Sequence, residues 1–215
     1  MPPLGRHLDI ATFDRQKRFM STFIKGLDGL VCFTRGLSRF AARVMGLALL
    51  AVVIFIGAEI VMRKLAGHSL SGVHEYSGYV LAVLSAWGIS HTLLERAHIR
   101  IDVVHGRLPA LSQHTLNVVS LLALNLVAWV IAFNAWPVLA KSLANGSTAN
   151  TPLATPLWIP QLLWAAGYGW FAFTTSVMGL RVLVALFQRD VPTLDALTGM
   201  DNGELAEMPS TEEIR

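Results

Sequence analysis

His91, Glu95, His98, Asp102 and His105 follow one another at spacings of four, three, four and three. At about 100° per residue on a helix, five such positions fall within an arc of about 80°. Imidazoles and carboxylates on one stripe can ligate a metal or relay protons, and each chemistry makes a further demand. Helical di-iron bundles use Glu-x-x-His, the spacing of Glu95-Arg96-Ala97-His98. They also need a second copy on a facing helix plus additional Glu residues, and the sequence holds no second copy. The His-Glu-x-x-His zinc signature is absent as well. The stripe exists only if a helix runs unbroken to Asp102, while Ile99, Ile101, Val103 and Val104 are β-branched and stiff in a helix. A proton relay needs ionisable groups at several membrane depths, and these are bunched in one stretch.

The plainer reading is a polar helix end at a membrane interface. There Glu95, Arg96, His98, Arg100 and Asp102 meet headgroups or a partner chain. No nucleophile–base pair, phosphate loop or cofactor motif occurs elsewhere. The chain is therefore read as no enzyme, with no catalytic, cofactor-binding or metal residue assigned. The rival is a four-helix membrane enzyme or electron-carrier subunit with a metal or haem on the His91–His105 stripe. Elemental analysis and a visible absorption spectrum separate the two.

The elements that would position these residues are membrane spans. Of 215 residues, 53% are hydrophobic and 14% charged, against about 25% charged in ordinary globular domains. Charge is concentrated at the ends, and the apolar runs are about as long as a bilayer is thick. The fold class expected is an all-α integral membrane protein: four transmembrane helices with an N-terminal amphipathic helix. Cys32 is the single cysteine, so no internal disulfide forms. The net charge of +3 does not indicate nucleic acid, because the cations flank the spans, where orientation bias puts them. No signal peptide is read, since the first long apolar run starts near Val44 and lacks an obvious cleavage site.

Residues 1–43 carry eight Lys or Arg, with Phe19, Met20, Phe23, Ile24, Leu27, Leu30 and Val31 between them at helical spacing. This reads as a basic amphipathic helix, lying on the membrane surface or packed on another subunit. The four-helix domain is expected over residues 44–190, with spans at about 44–62, 76–94, 116–139 and 158–182. In the first, Glu59 precedes Arg63 by four residues, the favourable order for a helical ion pair, and is read as a structural anchor. Glu75 opens the second, where a carboxylate suits the helix dipole. Gly78, Ala82, Ser85, Ala86 and Ile89 gather on one side of that helix, which suits close packing. Asn125 falls near mid-membrane in the third and needs a partner on another helix. Pro152, Pro156 and Pro160 lead into the fourth, which holds the small-xxx-small pairs Ala165/Gly169 and Ala172/Ser176. Residues 191–215 hold six acidic residues and few large apolar ones, and are expected to be a disordered tail.

Four spans place both termini on one side. That side, with the loop between spans two and three, carries every Lys and Arg except Arg63, Lys64 and Lys141. Positive-inside then makes it the cytoplasmic side.

Several of these residues form a familiar series. Arg63 closes the first span, Gly67 follows, and Glu75 opens the second, with Gly88 in its latter half. His98-Ile99-Arg100-Ile101-Asp102 and Pro109 come next, and later Pro156-Leu157-Trp158-Ile159-Pro160-Gln161. In order and spacing, residues 40–190 resemble the small membrane subunit of TRAP transporters (tripartite ATP-independent periplasmic transporters), the DctQ-like small permease family. Many members carry a Trp and a second acidic residue just before the position of Glu75, where this chain has Val73 and His74. Of the stripe, only His98 and Asp102 belong to the family motif.

The resemblance implies a multi-pass protein of the bacterial inner membrane that braces a large multi-span permease subunit. A periplasmic substrate-binding protein would deliver an organic acid, and a sodium gradient would drive uptake. Ion and substrate sites would lie on the large subunit, leaving no cofactor in this chain. Its other contact would be membrane lipid, with no nucleic acid. The structural or partner-interface candidates are Glu59, Arg63, Glu75, His98, Asp102 and Asn125.

Overall fold

A computed structural model describes residues 5–67, 72–95, 110–188 and 190–198. It contains helices α1 (Gly5–Ala66), α2 (Val73–Leu94), α3 (Ala110–Ala144), α4 (Trp158–Gln188) and α5 (Val191–Thr198). No strand occurs among the described residues, only an isolated bridge between Thr148 and Pro156. The first four helices are each long and apolar enough to cross a membrane. The chain is an all-α membrane protein.

The helices pack as an antiparallel bundle in which α4 is central, touching α1, α2, α3 and α5. Its face of Phe171, Ala172, Met178, Val182 and Ala185 forms the core with Leu93 and Leu94 of α2 and Val118, Leu121 and Ala128 of α3. Most large apolar side chains on the outer faces are exposed, including Leu47, Ile54 and Phe55 on α1 and Leu126 and Phe133 on α3. In a hydrocarbon solvent that arrangement costs nothing, because lipid tails are as apolar as Leu.

α1 departs from the expected layout. It runs through the 43/44 boundary as one helix of 62 residues, about 93 Å long and some three times the hydrocarbon thickness. Between Leu27 and Ala41 its buried stripe of Leu27, Thr34, Ser38 and Ala41 packs on the same chain. Ser38 accepts a hydrogen bond from Trp170 Nε1 of α4 at 2.9 Å, and Asp28 pairs with Arg181 of α4 at 2.6 Å. Charge patterning suggested a separate segment. Residues 5–66, however, contain no proline to break the helix.

α1 ends at Gly67, whose φ of +68° is the left-handed conformation of a helix C′ residue. A side chain there would meet no steric obstacle, so the cost of substitution is conformational. Gly67→Ala is expected to cost about 1 kcal/mol, readable as a lower midpoint in detergent unfolding.

The tail requires a correction. Residues 191–198 form α5 rather than part of a disordered segment, and Leu194 and Leu197 join the core from it. The cause is local: Asp190 caps the helix, its carboxylate accepting from the backbone N–H and hydroxyl of Thr193. Those bonds hold its carboxyl below the usual range. α3 likewise continues beyond the expected span end at 139, carrying Pro137 inside the helix to reach Ala144.

Candidate functional site

The polar side chains within the bundle form three layers. At the end where α2 begins, Glu59 is almost fully buried. Its carboxylate meets Arg63 Nη2 at 2.8 Å, one turn along α1, and His74 Nε2 of α2 at 3.7 Å. Next to it, Glu75 accepts hydrogen bonds from Tyr79 Oη at 2.9 Å and from the hydroxyls of Thr151 and Thr155. The loop between α3 and α4 is thereby tied to the first turn of α2. The loop is compact on its own account. Gly146 takes a left-handed turn, Ala149 N–H bonds Thr155 O at 2.9 Å, and Leu157 N–H bonds Ser147 O at 3.0 Å.

In the middle layer, Asn125 of α3 donates to Thr175 Oγ1 at 3.0 Å and Ser176 Oγ at 2.8 Å, both on α4. The two hydroxyls donate in turn to backbone carbonyls one turn back, and Trp129 Nε1 also donates to Ser176 Oγ. Each such interhelical bond in a membrane is worth about 0.6 kcal/mol, at most about 1.7. On the other side of α4, Trp87 Nε1 of α2 donates to the Leu163 carbonyl at 3.0 Å. Beside it Gly167 allows α2 and α4 to approach closely, a contact that sequence reasoning missed. A Cβ at Gly167 would lie 2.8 Å from both Ala86 Cβ and Trp87 Cδ1. At the expected pair Ala165/Gly169, Gly169 has nothing within 4 Å of its Cβ position.

At the end where α2 stops, Arg39 of α1 pairs with Glu95 at 3.0 Å. The Arg39 hydrogen bond, helped by the positive charge of Arg39 and by His91 and Arg35, holds the Glu95 carboxyl below the usual range. The pair therefore contributes at neutral pH and is lost as pH falls through that lowered value. Both partners are more than two-fifths exposed, so the contribution is about 0–1 kcal/mol.

Of the six candidates, Glu59 and Arg63 meet each other and Glu75 lies in the adjoining clasp. Asn125 is separate, in the middle layer. His98 and Asp102 lie outside the described residues, as does His105. α2 ends at Leu94 with Glu95 as its C-cap, so the part of the stripe that α2 carries stops at His91 and Glu95. Among the described residues no three His, Cys, Asp or Glu side chains are grouped to hold a metal ion. A cavity of about 250 Å³ between α1, α2 and α4, bounded by Met45, Tyr79, Val83 and Pro160, is lined by apolar surface.

Fold and site together define a class: a four-helix membrane protein whose interior polar groups tie its helices and one loop to one another. The family model "Tripartite ATP-independent periplasmic transporters, DctQ component" matches residues 50–189. The chain belongs to that family, the small membrane subunit of TRAP transporters. No curated protein and no solved structure matches the chain.

Proposed function

We propose that this subunit braces the large permease of a tripartite transporter for sodium-driven uptake of an organic acid that a periplasmic binding protein delivers. The family match over residues 50–189 carries this reading. The bundle is in keeping with it. Secondary transporters build midplane sites from broken helices and internal repeats, whereas α1 to α4 each pass through their apolar stretch as one helix. Asn125, the polar group of the middle layer, is engaged by Thr175 and Ser176. On this reading the chain is not an enzyme, the substrate and sodium sites lie on the large subunit, and His98 and Asp102 serve the structure or the partner contact. The cation distribution supports an inner-membrane topology with both termini cytoplasmic. The Glu95 end of the bundle is then cytoplasmic, and the clasp around Glu75 periplasmic.

Calorimetry on the full chain with a panel of small mono- and dicarboxylates tests the reading. The chain alone is expected to bind none of them, and to co-purify with a large multi-span subunit when the two are expressed together. Saturable heat from the chain alone would overturn it.

A further inference from the structure

One flank of α1 offers more cationic donors than the described part of the chain has acceptors for. Arg35, Arg39 and Arg43 stand at i, i+4 and i+8, within about 80° around the helix. Across from them α2 presents His91 and Glu95, and Glu95 is the carboxylate that Arg39 and Arg35 act on. Arg39 takes it up at 3.0 Å. Arg35 Nε is buried yet has no hydrogen-bond partner among the described residues. Arg43 is exposed and makes no ion pair among them. Asp28, two turns back on α1 itself, is already engaged, since it binds Arg181 of α4.

The depth of the cluster identifies what can satisfy it. Arg39 is level with the last turn of α2, where that span leaves the hydrocarbon. Immediately toward the hydrocarbon, Phe40, Val44 and Leu47 stand exposed. A soluble anion would use the arginines alone, whereas a phospholipid fits both groups at once, its phosphate on the arginines and its chains along the apolar face beside them. We infer that Arg35, Arg39 and Arg43 bind the phosphate of an anionic phospholipid from the leaflet at the Glu95 end, with its acyl chains along Phe40, Val44 and Leu47. Guanidinium forks match phosphate oxygens, and basic clusters beside transmembrane helices hold anionic headgroups. Membrane insertion is all that this requires, so it stands apart from the transport reading.

Native mass spectrometry of the full chain in detergent, with equal amounts of phosphatidylglycerol and phosphatidylcholine, gives the test. Phosphatidylglycerol is expected to be retained selectively. Each cation is worth about fivefold in affinity. Arg35→Gln with Arg43→Gln, which leaves the Arg39–Glu95 pair in place, should thus weaken retention about twenty-fivefold. If the double variant does not fold, the wild-type selectivity and its collapse at high salt carry the test instead. Equal retention of the two lipids would overturn the inference. Displacement of phosphatidylglycerol by excess inorganic phosphate would overturn it too, by showing that the arginines serve a free anion.

Discussion

Arg63→Ala should destabilise the bundle by roughly 2 to 3 kcal/mol, and Glu59→Gln by less. The Glu59 side chain is 2% exposed while that of Arg63 is 54% exposed, so the two partners are not equivalent. Truncating the arginine leaves a carboxylate buried at the edge of the hydrocarbon with much of its compensating charge gone. Breaking a buried pair from one side costs about 3–5 kcal/mol, and the half-exposed position of Arg63 argues for a value at or just below the lower edge. Glu59→Gln keeps the shape and removes the charge that needed compensation. The double variant should therefore recover part of what Arg63→Ala loses. Unfolding of the four proteins in mixed micelles would measure the cycle, and equal losses from the two single variants would show that burial of charge is not the cause.

Gly167→Ala should cost about 1–3 kcal/mol, the usual range for overpacking, and Gly167→Leu more. The added Cβ would meet Ala86 Cβ at 2.8 Å, and Ala86 is fully buried, so relief requires α2 and α4 to separate. Trp87 would also have to shift, which breaks its 3.0 Å bond to the Leu163 carbonyl. Gly169→Ala, two residues along the same helix with open space around it, is the internal control and should be close to neutral. The readouts are the unfolding midpoint and the efficiency of a disulfide engineered between α2 and α4. A neutral Gly167→Ala would mean that the helices do not approach this closely.

These two sites differ in how far the sequence revealed them. Glu59 and Arg63 lie four residues apart on one helix, so their meeting follows from helical geometry alone. The four spans are equally local, being long apolar runs. Gly167 depends on which face of α4 meets α2, and that is a property of the whole bundle. Small residues every fourth position pointed instead to Gly169, because such pairs recur in any membrane helix. Asn125 shows the intermediate case: its need for a partner was legible, the identity of Thr175 and Ser176 was not. The extent of α1 was hidden because a run of cations resembles a boundary, although only a helix-breaking residue makes one. α5 was obscured by the acidic composition of the residues that follow it, which outweighed the Asp190 cap and the apolar pair Leu194 and Leu197. His98 and Asp102, the family motif in the opening stripe, lie outside the described residues, so their role rests with measurements of assembly and uptake on Ala variants.

The unbroken course of α1 has a mechanical consequence. Fastened to α4 at Ser38 and Asp28, the helix is a cantilever whose root is the membrane bundle and whose tip is Gly5. From Asp28, the fastening nearest the tip, to Gly5 is about 35 Å. A rocking of the bundle by about 10° would carry the tip sideways by about 6 Å relative to that fastening, a displacement set by helix length alone. A small change of tilt in the bilayer is thus delivered as a large movement well outside it.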